Sequence, residues 1–239
     1  MSPARGRPTV RAIATDIDGT ITDGRRRLHA PALHALQRLE RRGVPIVLAT
    51  GNVLPIALAY HRLIGLSAPI VAENGGLLYD PRRDRVLRLA HRTVALRARK
   101  LLKRSGVRSK LLFTDRWRET EVALEPELDV EAARRVLRRE PVDVVPTGYA
   151  VHLIERGRGK LPALARALRP YGLAPADCLV AGDGENDVEM LAAAGWAVSF
   201  RGADPRARAA ADYVARSSNA RGLVEALKRV NVVGRSLPR

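Results

Sequence analysis

Cysteine is nearly absent, with Cys178 the only one in 239 residues. That excludes an internal disulfide framework and a thiolate-rich zinc site, and the apolar run around Cys178 marks it as a small core residue rather than a nucleophile. Aromatic residues are also scarce, at 4%, which leaves little material for a base-stacking surface. No apolar run approaches the roughly 18 to 20 residues that cross a bilayer, so no membrane partner is expected. The amino end, residues 1–8, is short, basic and followed directly by a strand pattern rather than a targeting segment. The chain reads as cytoplasmic. His29, His34, His61 and His91 show no metal-ligand spacing.

What is abundant is positive charge. Lys and Arg number 42 against 25 Asp and Glu, a formal net charge of +17. Only Lys100, Lys103, Lys110, Lys160 and Lys228 are lysines; the other 37 cations are arginine. Such a surface attracts nucleic acid, anionic lipid or phosphorylated metabolites at long range but says nothing about fold. The arginines are dispersed through helical patterns, with no zinc finger or stacking motif beside them, so no specific nucleic-acid partner is expected. A basic nucleic-acid-binding protein is kept as the remote alternative.

The patterning implies an α/β fold. Apolar runs at residues 10–17, 44–50 and 69–72 lack polar alternation and are separated by helical patterns at 31–42 and 54–63, the signature of parallel strands covered on both faces. Gly43 ends the first helix. The middle changes character: a short strand at 77–79, helices near 93–104 and 130–139, and strands at 110–114, 119–125, 142–145 and 150–154. The α/β rhythm then resumes with a helix at 161–168, a strand at 177–182, a helix at 187–194, a strand at 196–200 and a closing helix at 220–230. The reading is a doubly wound parallel-sheet, Rossmann-like core formed by residues 1–80 and 156–239. An α/β cap domain, residues 81–155, is inserted into it. Gly75, Gly76, Gly157 and Gly159 mark the crossings as flexible joints.

The chemistry concentrates where strands end, the place where open parallel sheets bind ligands. Asp16-Ile17-Asp18-Gly19-Thr20 closes the first strand; residues two apart in an extended stretch share a side, and Gly19 permits a sharp turn. Alone this is equally a solvated Asp-Gly turn. Gly182-Asp183-Gly184-Glu185-Asn186-Asp187 closes a later strand and opens a helix. Asp187 by itself could be a helix cap, but four converging carboxylates, Asp16, Asp18, Asp183 and Asp187, would repel one another unless a hard divalent cation neutralises them, and all-oxygen ligation is the preference of Mg2+. Thr50-Gly51 stands at another strand end, where a hydroxyl and a close-approaching backbone suit an anion. Lys160, in a chain that otherwise chooses arginine, favours a role for a compact ammonium.

Asp-x-Asp-Gly-Thr, a strand-terminal Thr-Gly, a lone Lys and Gly-Asp-Gly-x-Asn-Asp, in this order, resemble the four motifs of the haloacid dehalogenase superfamily of phosphohydrolases. The resemblance covers the whole chain, with the insert between the second and third motifs. Glu73-Asn74-Gly75-Gly76, Asp115-Arg116-Trp117-Arg118-Glu119 and Gly148-Tyr149-Ala150-Val151-His152-Leu153 are similar to segments of the archaeal phosphoglycolate phosphatases. The resemblance implies a phosphoric monoester hydrolase in which Asp16 is the nucleophile that forms an aspartyl phosphate and Asp18 the general acid and base. It further implies Mg2+ held by Asp16, the Asp18 backbone carbonyl, Asp183 and a direct or water-mediated Asp187. Thr50, Gly51 and Lys160 would hold the phosphoryl oxygens and Asn186 orient the site. Arg116 or Arg118, with Arg118 preferred, would clamp a substrate carboxylate, while Trp117, Tyr149 and His152 read as cap packing. The expected partner is a small phosphorylated substrate, best guess 2-phosphoglycolate; sugar phosphates and mannosyl-3-phosphoglycerate are the alternatives, and a homodimer stays open.

Overall fold

The computed structural model describes residues 8–233; the basic stretch 1–7 and residues 234–239, assigned above to the core, lie outside the described residues. The chain begins with β1 (Thr9–Val10), β2 (Ala12–Thr15), α1 (Ala30–Arg41), β3 (Ile46–Ala49), α2 (Leu54–Ile64), β4 (Ile70–Ala72), β5 (Leu77–Asp80) and β6 (Arg85–Arg88). The middle supplies α3 (Arg92–Arg104), β7 (Val122–Leu124), α4 (Val130–Leu137), β8 (Val142–Pro146) and β9 (Val151–Glu155). It closes with α5 (Lys160–Leu168), β10 (Cys178–Ala181), α6 (Val188–Ala192), β11 (Trp196–Phe200), α7 (Pro205–Ala209), β12 (Tyr213–Ala215), α8 (Asn219–Leu227) and β13 (Asn231–Val232).

The large sheet runs β12-β11-β10-β2-β3-β4-β5-β6. It is parallel from β12 to β4, and β5 and β6 add an antiparallel edge. Period-two alternation sorts its side chains onto two cores. Ile13, Ile46 and Leu48 pack with Leu36 of α1, Ala57 of α2 and Leu223 of α8. Ala12, Ala14, Val47 and Val180 pack with Leu164 and Ala167 of α5, Met190 of α6 and Ala207 of α7. Each fully buried Ile or Leu stabilises the fold by about 1.5–3 kcal/mol relative to exposure. Proline at the first turn starts α1 and α2, and Gly43, at φ +75°, follows α1 in the left-handed conformation that ends a helix. The doubly wound reading holds. Cys178 is buried in β10, where burial pushes its thiol up to about 12.

The second sheet, β7-β9-β8, is antiparallel. Val122, Leu124, Val151 and Leu153 face Ala98 and Leu102 of α3 and Ala133 and Leu137 of α4. Alternation therefore leaves the other face to Glu121, Ala123 and His152, and this is the face turned toward the strand ends of the large sheet. Residues 110–114, expected as a strand, make only an isolated bridge at Leu111 before a 3-10 turn at Phe113–Trp117. The buried Asp115 carboxylate accepts from Ala123 N at 2.9 Å and from Arg92 at 2.6 Å, and that turn places it there. The expected boundary at residue 80 cuts a hairpin, because β6 pairs with β5 on the large sheet. We propose that the division between core and cap falls after β6 instead.

The crossings are packed tightly. Gly75 stands at φ +102°, and a Cβ there would lie 2.2 Å from the Gly159 carbonyl oxygen, so glycine serves close approach of the two crossings rather than looseness. Beside them the buried Glu73 carboxylate accepts from Glu119 N at 2.9 Å, Thr120 N at 2.8 Å and Thr120 Oγ1 at 2.6 Å. One core side chain thus holds two consecutive amides of the cap.

Candidate active site

Because β2 lies between β10 and β3, the loops that leave these three strands are neighbours. Asp16, Asp183 and Thr50 follow them in turn. The Asp16 amide donates to the Ala181 carbonyl at 3.0 Å, fastening the first loop to the third strand's end. Lys160, the first residue of α5, is 2% exposed; its Nζ donates to Asp16 Oδ1 and to Asp187 Oδ1, each at 2.7 Å. Asp187 Oδ2 accepts from the Asp183 and Gly184 amides at 3.0 Å, which curls the loop back on itself. Thr20 Oγ1 donates to Asp183 Oδ1 at 3.0 Å. Gly19, at φ +77°, is where a Cβ would lie 2.1 Å from Asp183 Oδ2; only glycine lets that carboxylate close on the Asp-x-Asp turn.

Side-chain oxygens of Asp16, Asp183 and Asp187 all lie within 4.8 Å of one another. Of the four carboxylates expected to converge, Asp18 is the exception. Its Oδ2 accepts from Asn52 Nδ2 at 3.1 Å, which turns that carboxylate toward the Thr50 loop. Glu185, the remaining acid of the last motif, accepts from Arg134 of α4 at 3.0 Å and Arg206 of α7 at 2.6 Å, and so ties the cap to the loop that carries Asp183.

Burial sets the electrostatics of the cluster. Burial, against the pull of Lys160 and with the repulsion of Asp187, Asp183 and Asp18, holds the Asp16 carboxyl well above its usual value. Burial and the Asp187 charge push Asp183 up to about 7, against Thr20 and Lys160. Lys160 would be lowered by burial, but Asp16 and Asp187 hold it well above its ordinary value. One ammonium among three carboxylates, Asp16 and Asp187 buried and Asp183 half-buried, leaves a net negative, all-oxygen cluster. A hard divalent cation fits that donor set.

The second strand-end loop faces the same space. Thr50 Oγ1 accepts from Asn52 N at 3.0 Å, so its hydroxyl proton stays available. The Gly51 carbonyl accepts from an Arg118 Nη at 2.8 Å. A hydrogen-bonded network continues from there into the cap. Arg118 is also paired with Glu121; Glu121 accepts from Asn74 Nδ2 at 2.8 Å and contacts His152 Nδ1 at 2.9 Å; and Asn74 Oδ1 accepts from Asn186 Nδ2 at 2.8 Å. Burial alone would raise Glu121, but the His152 and Arg118 charges outweigh it and hold its carboxyl at about 2. Asn74 had a signal in the sequence, the Glu-Asn-Gly-Gly run at a strand end. Glu121 had none.

Asp16, Asp18, Thr50, Gly51, Arg118, Asp183 and Asn186 line a cavity of about 260 Å³, together with His152, Tyr149 and Arg26. Lys160 and Asp187 stand behind this wall, through Asp16 and Asp183. A wider cavity of about 480 Å³ meets it at Asn186 but holds neither Asp16 nor Asp18. Several expectations change here. Tyr149 and His152, read as cap packing, line the cavity. Trp117 is half exposed and packs edge-on against Phe113, with Arg116 stacked on Phe113. Arg118 does reach the cavity, but as half of an ion pair with Glu121 and with its Nε sealed from solvent and without a partner among the described residues. Its Nη1 is the nitrogen shared by Glu121 and the Gly51 carbonyl.

The haloacid dehalogenase-like hydrolase family matches residues 13–115 and 138–227. A phosphoglycolate phosphatase of Methanothermobacter thermautotrophicus is 41% identical over 220 residues, covering 92% of this chain and 98% of that protein. A crystal structure from Thermoplasma acidophilum superposes with a TM-score of 0.82 at 27% identity, covering 92% of this chain and 97% of the other. A haloacid dehalogenase-like hydrolase from Bacteroides thetaiotaomicron, at 19% identity and a TM-score of 0.73 over 92% and 99% of the two chains, shares the fold.

Proposed function

The chain belongs to the haloacid dehalogenase-like hydrolases and is a phosphoric monoester hydrolase; from that premise we propose that it cleaves 2-phosphoglycolate to glycolate and phosphate through an aspartyl phosphate on Asp16, with Mg2+ as its metal. The observation that carries the reading is the convergence of Asp16, Lys160, Asp183 and Asp187 at adjacent strand ends. The cavity, about 260 Å³, suits a small ester, and the curated relatives named phosphoglycolate phosphatase support the substrate.

In this reading the Asp16 carboxylate attacks phosphorus, forming one P–O bond as the ester P–O bond breaks, and the electron pair leaves with the alkoxide. Asp18 gives that alkoxide its proton and then takes one from the water that opens the aspartyl phosphate. Asn52, by donating to one Asp18 oxygen, fixes which oxygen handles the proton. Lys160 holds one Asp16 oxygen at 2.7 Å, which orients the nucleophile and offsets the charge of the incoming phosphate. Thr50, the Gly51 amide and Asn186 serve the phosphoryl oxygens, and Arg118, by holding the Gly51 carbonyl, positions that loop from the cap. Mg2+, held by Asp16, Asp183 and the Asp18 backbone carbonyl with Asp187 behind them, would neutralise the phosphoryl charge and position the group.

Two measurements test this. The first is metal-supported phosphate release across 2-phosphoglycolate, sugar phosphates, mannosyl-3-phosphoglycerate, phosphoserine and nucleotides, with a sharp maximum expected for 2-phosphoglycolate. A maximum on a sugar phosphate would move the assignment elsewhere in the family. The second is stability against pH without metal. Asp183 ionises near 3.8 when unfolded and at about 7 when folded, so between those values the folded state holds the extra proton and stability falls as pH rises. In chelator the melting midpoint should carry this loss from pH 4 to 7, and Mg2+ at pH 7.5 should reverse it. A midpoint indifferent to Mg2+ at pH 7.5 would exclude the metal site.

A further inference from the structure

Two hairpin tips meet over the cavity, one from each part of the chain. The core tip lies between Thr22 and Leu28, which form an antiparallel bridge. Asp23 locks it: its amide donates to the Arg27 carbonyl at 2.9 Å, its Oδ1 accepts from Arg25 N at 2.8 Å and Arg27 N at 2.9 Å, and its carbonyl accepts from Arg26 N at 2.9 Å. Arg26 stands at the apex with φ +59°, a left-handed conformation that is unfavourable for a residue with a Cβ. The cap tip joins β8 to β9. There the Thr147 amide donates to the Ala150 carbonyl at 2.8 Å and the Ala150 amide to Thr147 Oγ1 at 3.2 Å, which presents Tyr149. The Arg26 guanidinium carbon sits 3.8 Å from the centre of the Tyr149 ring.

This geometry bears on substrate choice. Two arginines line the cavity, Arg26 and Arg118. Arg118 is neutralised by Glu121 and bonded to the Gly51 carbonyl. Arg26 has no carboxylate partner among the described residues; its contact is the face of an aromatic ring. A guanidinium stacked on a ring uses its flat face, while its N–H donors radiate in the plane and stay available for a bidentate anion. Both hairpins are fixed by their own backbone bonds, so the backbones that carry the exposed Arg26 and Tyr149 side chains are set before any ligand arrives.

We propose that Arg26 is the specificity-determining residue that receives the carboxylate of the substrate, and that Tyr149 is the positioning residue that holds its guanidinium over the cavity. The selection of an anionic leaving group then needs the core hairpin and the cap hairpin together. This rests on the reading of the site as a phosphatase and adds to it where the non-phosphoryl end of the substrate is read.

The test measures kcat and KM for 2-phosphoglycolate, 2-phospholactate and glycerol 2-phosphate, whose leaving group is uncharged, in the unaltered protein and in Arg26→Asn, Tyr149→Leu and Tyr149→Phe. Asparagine tolerates the left-handed backbone, so the first variant keeps the hairpin. Arg26→Asn should raise KM for the two carboxylate esters about ten- to a hundredfold more than for glycerol 2-phosphate, the scale of a lost charge-assisted pair. Tyr149→Leu should raise the same KM values by less, and Tyr149→Phe, which keeps the ring, should restore them. If Arg26→Asn affects all three esters equally, Arg26 does not read the carboxylate, although a preference of the unaltered protein for 2-phosphoglycolate would leave the function standing. If the unaltered protein prefers 2-phospholactate and loses that preference in Arg26→Asn, the inference holds and the assigned substrate falls. No carboxylate preference at all overturns both, and a Tyr149→Phe variant as impaired as Tyr149→Leu removes Tyr149 from the proposal.

Discussion

Asp16→Asn should lower turnover of a phosphate monoester by at least about ten-thousandfold, the scale of losing a covalent nucleophile, while the protein melts as before. The two halves of this expectation have different causes. An amide cannot attack phosphorus, so the covalent route is closed outright. The fold survives because the amide oxygen can still accept from Lys160, which also keeps Asp187 at 2.7 Å. The lost charge was itself unfavourable, since burial and three neighbouring carboxylates disfavour an ionised Asp16. Steady-state phosphate release beside a thermal melt checks both halves. Residual hydrolysis within tenfold of the unaltered protein would refute an aspartyl-phosphate route.

Lys160→Met should fail in both respects. Methionine approximates the length of the lysine stem but leaves Asp16 and Asp187 buried without their cation. Breaking a buried ion pair on one side costs about 3–5 kcal/mol, which in a chain of this size lowers the melting midpoint by roughly 10 °C. The loss should shrink toward acid pH, where a protonated Asp16 needs no partner, and Mg2+ should recover part of the stability near neutrality. Turnover should not recover, falling by about a thousandfold or more, because the oriented ammonium beside the nucleophile is gone. Lys160→Arg should not substitute for it, since a residue 2% exposed leaves no room for a planar fork. Thermal melts from pH 5 to 8, with and without Mg2+, together with phosphate release, decide the matter. A Met variant that melts and turns over like the parent would show that Lys160 neither balances nor orients the carboxylates.

Much of the core was legible because its signals are local. Runs without alternation became β2, β3, β4 and β10, with both faces buried, and the strand-terminal motifs fell at the strand ends because a strand's last residue and the loop after it are adjacent in sequence. The elements that escaped notice lack such runs. β6 is Arg-Val-Leu-Arg on an exposed edge, α7 is a single turn of Pro-Arg-Ala-Arg-Ala, and β12 and β13 are too short to show a period. Residues 110–114 look like a strand but do not pair as one, because a buried Asp115 carboxylate satisfying Ala123 N and Arg92 outweighs a ladder there.

Fold class and the identities of the acidic and ammonium groups at the strand ends follow from the order of residues alone. They depend on periodicity and turn glycines, which operate over a few positions, and on the cation demanded by carboxylates gathered at neighbouring strand ends. Which arginine lines the cavity with no carboxylate partner among the described residues was decided only by the folded chain. Arg26, Arg116 and Arg118 are chemically the same side chain, and nothing in their neighbours distinguishes them. The difference arises when distant segments meet: Glu121 and the Gly51 carbonyl engage Arg118, Arg116 stacks on Phe113 away from the cavity lining, and Arg26 stacks on Tyr149 within it. Charge is a property of the residue, but its availability to a ligand depends on what three-dimensional packing sets against it.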